Sequence, residues 1–215
     1  MMRRRRNTWL PRAWSQASSS VPSPGCAIRR IRTTRKPSVI AGRLSPPSSP
    51  RRITQNSEAI VAFVRKSGQK VLVCPEMTYQ IEASKKYLVD PLPEDVKKRV
   101  VHRDTFWLPD EAASIYVHAN LVVSCEMHAP IIALGVGTPA MYLRQPTDTR
   151  KGHMMRDIGR SDWIFEIDDA KGQQIAAAVL EVHNDPKAAK AKVTEAMKIV
   201  RERQTKSMAV VAGAL

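Results

Sequence analysis

Two short stretches of this 215-residue chain gather residue types suited to acid–base and anion chemistry. The first is Ser124-Cys125-Glu126-Met127-His128, which follows the compact apolar run Asn120-Leu121-Val122-Val123 and leads into an apolar helical pattern from Glu126 to Leu134. Exposed amides and the dipole at such a helix start favour an anion. The second is the loop from Arg144 to Gly152, where Arg144, Arg150 and Lys151 follow another apolar run, Thr138 to Leu143. Ligands of open parallel sheets bind beyond the carboxyl ends of the strands. Two neighbouring strand ends would then offer a histidine, an anion-binding helix start and three cations, a set that suits a phosphorylated or carboxylated substrate. Each feature taken singly also has a structural reading: a histidine at a helix start often only caps or packs, and loop cations are often only solvated.

The elements that must position these residues are legible from patterning. Val71-Leu72-Val73-Cys74 reads as a buried strand closed by Pro75, with a short helix over Ala59–Ser67 before it, ended by Gly68. Glu76 to Tyr87 is helix-compatible, Asp90-Pro91-Leu92-Pro93 breaks it, and Glu94–Lys98 and Arg99–Val101 follow as a short helix and a second strand. Pro109-Asp110-Glu111 opens a further helix, with Asp110 as its expected cap. The run from Asn120 to Leu143 is strand, helix, Gly135-Val136-Gly137 and strand, the βαβ unit whose crossover is right-handed. Beyond the cationic loop come a short helix (His153–Ile158), a strand (Trp163–Ile167) and two helices, Ala170–His183 and Pro186–Thr205. Four or five parallel strands alternating with helices predict an α/β, Rossmann-like, three-layer domain over residues 56–210. No GxGxxG follows its first predicted strand, so no dinucleotide is indicated. His102, His118, His153 and His183 lack metal-ligand spacing, so no metal site is expected.

Composition sets the outer bounds. The formal charge is +15, but 13 of the 35 Lys+Arg and none of the 20 Asp+Glu fall within residues 1–52. The rest of the chain is therefore almost neutral, which argues against a nucleic-acid-binding body. Residues 1–55 read as a disordered, basic, Ser/Pro-rich tail without sustained apolar periodicity. Three readings of that tail compete: an arm for nucleic acid or an anionic membrane surface, a transit peptide, or an accidental extension. Cys26, Cys74 and Cys125 have neither CxxC spacing nor an even count, so a reducing compartment, the cytoplasm, is expected.

The run from Val122 to Ala140 resembles the central motif of the polysaccharide pyruvyl transferases. There a strand ends in Ser, a His follows within a few residues, and a small-residue helix leads to Gly-x-Pro and another strand. Lys151 matches the family's downstream basic residue and Ile158-Gly159-Arg160 its following turn, and the resemblance extends over roughly residues 71–200. Many members carry Arg two residues before the histidine, where this chain has Glu126. The resemblance implies one lobe of a two-lobed, glycosyltransferase-B-type fold. It also implies a transferase that moves pyruvate from phosphoenolpyruvate onto two sugar hydroxyls as a ketal, with no cofactor. His128 would be the catalytic acid/base. Ser124, Glu126, Met127, Arg144, Thr149, Arg150 and Lys151 would line the substrate site. A sugar or polysaccharide precursor would be the acceptor, and a missing N-terminal lobe or a second copy a partner. The chain is then expected to be a truncated member, inactive alone. Alternatives are a glycosyltransferase lobe that uses a nucleotide sugar and a non-catalytic fragment.

Overall fold

A short apolar run flanked by Gly, Pro or charge becomes a strand only where neighbours can bury it, and six such runs among the described residues do so. The computed structural model describes residues 38–41 and 50–214, with side chains from 56 to 214. The strands are β1 (Ser38–Ala41), β2 (Val71–Cys74), β3 (Val100–His102), β4 (Val122–Ser124), β5 (Ala140–Arg144) and β6 (Ile164–Glu166). They form one sheet in the order β3-β2-β1-β4-β5-β6. Every pairing is parallel, so all six carboxyl ends lie along one edge. The order reverses between β1 and β4, which is the switch point of a doubly wound sheet.

The helices are α1 (Pro50–Ser67), α2 (Gln80–Ser84), α3 (Glu94–Lys97), α4 (Pro109–Tyr116), α5 (His128–Gly135), α6 (Met154–Asp157), α7 (Gly172–Asn184) and α8 (Pro186–Gly213). With right-handed crossovers, connections running towards β3 and those running towards β6 must cover opposite faces of the sheet. The packing agrees: α1 lies against α3 and α7, whereas α4 lies against α5, which also meets α8. The α/β, three-layer expectation therefore holds.

The central strands are apolar at nearly every position because both their faces are covered. Val73, Val122, Ala140 and Tyr142 have no measurable exposure, and burying a side chain of Val size stabilises the fold by about 1.5 kcal/mol or more. Pro139 precedes β5, where its missing N–H costs nothing, and its carbonyl accepts the Val122 N–H at 3.0 Å. Gly68 ends α1 at φ +64°, the left-handed conformation that glycine adopts without a Cβ penalty.

Several boundaries differ from expectation. β1 and the first turn of α1 lie inside the stretch read as a tail, so that reading does not extend to Ser38–Ala41 or to the start of α1; residues 1–37 and 42–49 lie outside the described residues. Ser38-Val39-Ile40-Ala41 is too short to show a period, and only its two parallel neighbours reveal it as a central strand. The helix expected from Glu76 begins at Gln80, because the Gln80 side chain folds the intervening turn by accepting Glu76 N–H at 2.8 Å and Met77 N–H at 3.2 Å. It then widens into a π-helical turn over Lys85–Val89. Asp110 does not cap α4; Glu111 reaches back to accept the Leu108 N–H at 3.1 Å. Finally, α8 outruns its expected end, and from Arg201 to Ala214 every residue is exposed, including Met208, Val210 and Val211. No described helix is long and apolar enough to cross a membrane.

Candidate active site at the carboxyl ends of β4 and β5

β4 ends at Ser124, level with Tyr142 of β5, and the chain turns sharply there into α5. Ser124 is buried and its hydroxyl does two things. It donates to Glu76 Oε1 at 2.7 Å and accepts the Glu126 N–H at 2.9 Å. A serine has one proton, and this one is committed to a carboxylate that can only accept. Ser124 therefore shapes the turn and offers no hydroxyl proton to a ligand. Met127 caps α5 without a side-chain hydrogen bond and is itself buried, so only its backbone is available to a substrate.

Glu126 and His128 sit two residues apart on this turn, and their side chains meet. Glu126 Oε1 lies 3.0 Å from His128 Nδ1, with the carboxylate 11% exposed and the imidazole 75% exposed. An acceptor-only partner places the Nδ1 proton between the two groups, which leaves Nε2 as the lone-pair nitrogen of the neutral ring. α5 starts at His128 rather than at Glu126, so the imidazole stands at the first helical residue, facing outward from the sheet edge.

The loop after β5 folds back onto the same carboxylate. Lys151 Nζ lies 3.5 Å from Glu126 Oε1 and 3.7 Å from Asp148 Oδ1. Asp148 organises the loop: it accepts a short hydrogen bond from Tyr142 OH and the Gln145 N–H at 3.0 Å. Burial, then the hydrogen bond to Asp148, pushes the Tyr142 phenol well above its ordinary value, so it stays a donor. Arg144 is held differently. Its guanidinium pairs with Glu166 at 2.8 Å and donates to the Asp148 carbonyl at 3.0 Å, while Arg156 shares Glu166 at 3.0 Å. Arg144 is thus a brace between β5, β6 and the loop. Thr149 and Arg150 are exposed, and neither side chain joins these contacts among the described residues.

The structure therefore brings Ser124, Glu126, His128 and Lys151 into one connected network, keeps Met127 and Arg144 in supporting positions, and leaves Thr149 and Arg150 on the rim. Three members escaped sequence reasoning, Tyr142, Asp148 and Glu166, and Glu76 is read there only as the opening residue of a helix. Glu76 had a usable signal, since it stands two residues beyond a buried strand just as Glu126 does. Asp148 is the sole acid of its loop, which also marks it. Among the described residues no group of three or more His, Cys, Asp or Glu could hold a metal. Cys74 and Cys125 are buried and form no disulfide; burial pushes the Cys74 thiol far up.

Comparison with known proteins gives this site a context. The family model for polysaccharide pyruvyl transferase matches residues 15–145, a span that begins within the predicted tail and includes β1 to β5. No curated protein matches the chain. Among solved structures, the glycotransferase of kitacinnamycin is similar at 15% identity and TM-score 0.52, over 84% of this chain and 44% of that one. A UDP-GlcNAc 2-epimerase from Neisseria meningitidis, bound to UDP-GlcNAc, is similar at 13% identity and TM-score 0.54, over 80% and 45%. An α,α-trehalose-phosphate synthase (UDP-forming) from Burkholderia xenovorans, in complex with glucose-6-phosphate, follows at 13% and 0.53, over 78% and 40%. At such identities the likeness is one of fold: a single Rossmann-like lobe of the two-lobed glycosyltransferase-B type. The chain spans less than half the length of these proteins.

Proposed function

The chain belongs to the polysaccharide pyruvyl transferase family, and on that premise we propose that its site takes phosphoenolpyruvate and transfers pyruvate to a sugar or polysaccharide precursor as a cyclic ketal. The observation that carries this reading is the Glu126–His128 pair with Lys151 beside it, at the strand ends nearest the switch point. In the proposed reaction one sugar hydroxyl adds to the enol carbon of the donor while the methylene carbon is protonated to a methyl group. A second hydroxyl then displaces inorganic phosphate from the same carbon. The two hydroxyl protons are accounted for, one on the methyl group and one on the released phosphate. His128 Nε2 is the group that relays them, and Glu126 holds the ring and stabilises its charged form.

The donor is an anion with a phosphate and a carboxylate, so its binding needs cations. Lys151 and Arg150 are the two that serve this role in the proposal, with Thr149 on the same rim. Arg144, already paired with Glu166, acts by holding the loop. Glu126 stands where many members have Arg, so binding to the donor falls on Lys151 and Arg150. The reaction is assigned to the cytoplasm, in keeping with cysteines that lack CxxC spacing and an even count. The remainder of a two-lobed cleft would come from a second lobe or a second copy of the chain.

The test is phosphoenolpyruvate binding by calorimetry, followed by phosphate release in the presence of a sugar acceptor. Saturable binding is expected, with release abolished in His128→Ala while binding persists. Selective binding of a UDP-sugar with no response to phosphoenolpyruvate would overturn the proposal in favour of a glycosyltransferase lobe.

A further inference from the structure

Glu76 follows β2, and Ser124 ends β4; β1 lies between those strands. Adjacent strands are about 4.8 Å apart, so the 2.7 Å hydrogen bond from Ser124 to Glu76 links two strands that are not neighbours. It crosses the carboxyl end of the sheet at the switch point. Its foundation on the β2 side is rigid. Gln80, with no measurable exposure, fixes the backbone by accepting the amides of Glu76 and Met77. On the β4 side the chain of contacts continues from Ser124 Oγ to the Glu126 amide at 2.9 Å, and from the Glu126 carboxylate to His128 Nδ1 at 3.0 Å.

We infer that Glu76 is a positioning residue for His128, acting through the Ser124 hydroxyl and the backbone of Glu126. The inference rests on the proposed role of His128 in the site. The physics is that of a rotor with two stops. A serine hydroxyl rotates freely about its Cβ–Oγ bond unless its proton is claimed. Glu76 claims it, and so one lone pair of Oγ is directed at the Glu126 N–H. That hydrogen bond sets the pitch of the turn, and the pitch sets where the Glu126 carboxylate meets the imidazole. Without Glu76 the hydroxyl is released, the Glu126 amide loses its oriented acceptor and the imidazole gains a range of orientations.

The experiment uses the full chain with isotope-labelled histidine, the His128 ring signal being assigned in the NMR spectrum by its loss in His128→Ala. In Glu76→Ala that signal is expected to move and broaden, while those of His118 and His183 stay in place. Ser124→Ala, which removes the same bond from the other side, is expected to reproduce the displacement, and the double variant to add nothing further. Glu76→Gln should restore the signal, because an amide oxygen accepts the same proton. In turnover, Glu76→Ala should lower kcat about 10-fold, as small misplacements of a reacting group do, with KM for phosphoenolpyruvate unchanged. A His128 signal that does not move in a folded Glu76→Ala chain overturns the inference, whatever the activity. If Glu76→Ala does not fold, the Ser124→Ala spectrum decides in its place. If the unaltered chain binds no phosphoenolpyruvate, the function proposed above fails, and the histidine spectrum still decides the role of Glu76.

Discussion

At the scale of single residues, the site depends on which carboxylates hold which cations. Lys151 is partly exposed and lies at 3.5 Å and 3.7 Å from two carboxylates, a looser hold than the 2.8 Å pairing of Arg144 with Glu166. It is the cation of the network that can turn towards an arriving anion at small cost. Lys151→Met should therefore weaken phosphoenolpyruvate binding about 10-fold, since one hydrogen bond to a charged group contributes about 1.5 kcal/mol; calorimetry at two salt concentrations measures it. Arg144 is expected to act through the loop instead. A Cβ on Gly152 would sit 2.5 Å from Arg144 Nε and 2.9 Å from its Cδ, atoms held near the fixed end of that braced side chain. Gly152→Ala should then cost about 1–3 kcal/mol of stability, the usual range for overpacking, and a denaturant titration reads it directly. The pairing of His128 with Glu126 was legible at sequence level only as proximity. Two residues in a turn can point anywhere, and it took the Ser124 hydroxyl and the start of α5 to make them meet.

Among the elements, patterning located β2, β4 and β5 well because each is a concentrated apolar run ended by Pro, Ser or Arg. It located β1 badly, since four residues set among Arg, Lys and Gly carry no period, and their strand character comes entirely from Val71–Cys74 and Val122–Val123 beside them. α1 was read from its second half alone for a related reason: its apolar stripe begins only at Ala59. That stripe is what fixes the helix to the rest of the fold. Phe63 is buried and its ring meets the His183 ring of α7 edge-on at 5.9 Å between centroids. Phe63→Ala is expected to cost about 3–5 kcal/mol, a large share of the roughly 5–15 kcal/mol that holds a typical domain together. The outcome to look for is a drop in the denaturation midpoint with loss of the α1–α7 contact. An unchanged midpoint would mean that this contact contributes little to stability.

For the molecule as a whole, acid sensitivity follows from His102 at the end of β3. Burial, and then the nearby Lys85 charge, hold its pKa below the ordinary histidine value of 6.5, while Ser84 Oγ shares a hydrogen bond with Nε2 at 2.9 Å. The unfolded chain takes up a proton at this residue near pH 6.5, and the folded chain does so only at lower pH. Between those two values the unfolded state binds more protons, so stability falls as pH drops through about 6.5. The urea midpoint at pH 5.5 should lie below that at pH 7.5, with the difference reduced in His102→Gln. Asp95 acts in a separate and lower window. The hydrogen bond from Arg65 holds its pKa below 3.8, so what that pair contributes disappears only at still lower pH.

The length of α8 has a consequence for motion. Its first half is anchored through Ala189, Val193 and Ala196, which are buried, but from Arg201 onwards no residue of the helix is buried. A helical segment of that length is only marginally stable in water when nothing packs against it. Its amides should thus exchange with deuterated solvent by local fraying, far faster than those of the first half. Trypsin should cleave at Arg201, Arg203 or Lys206 and leave the sheet and its site intact.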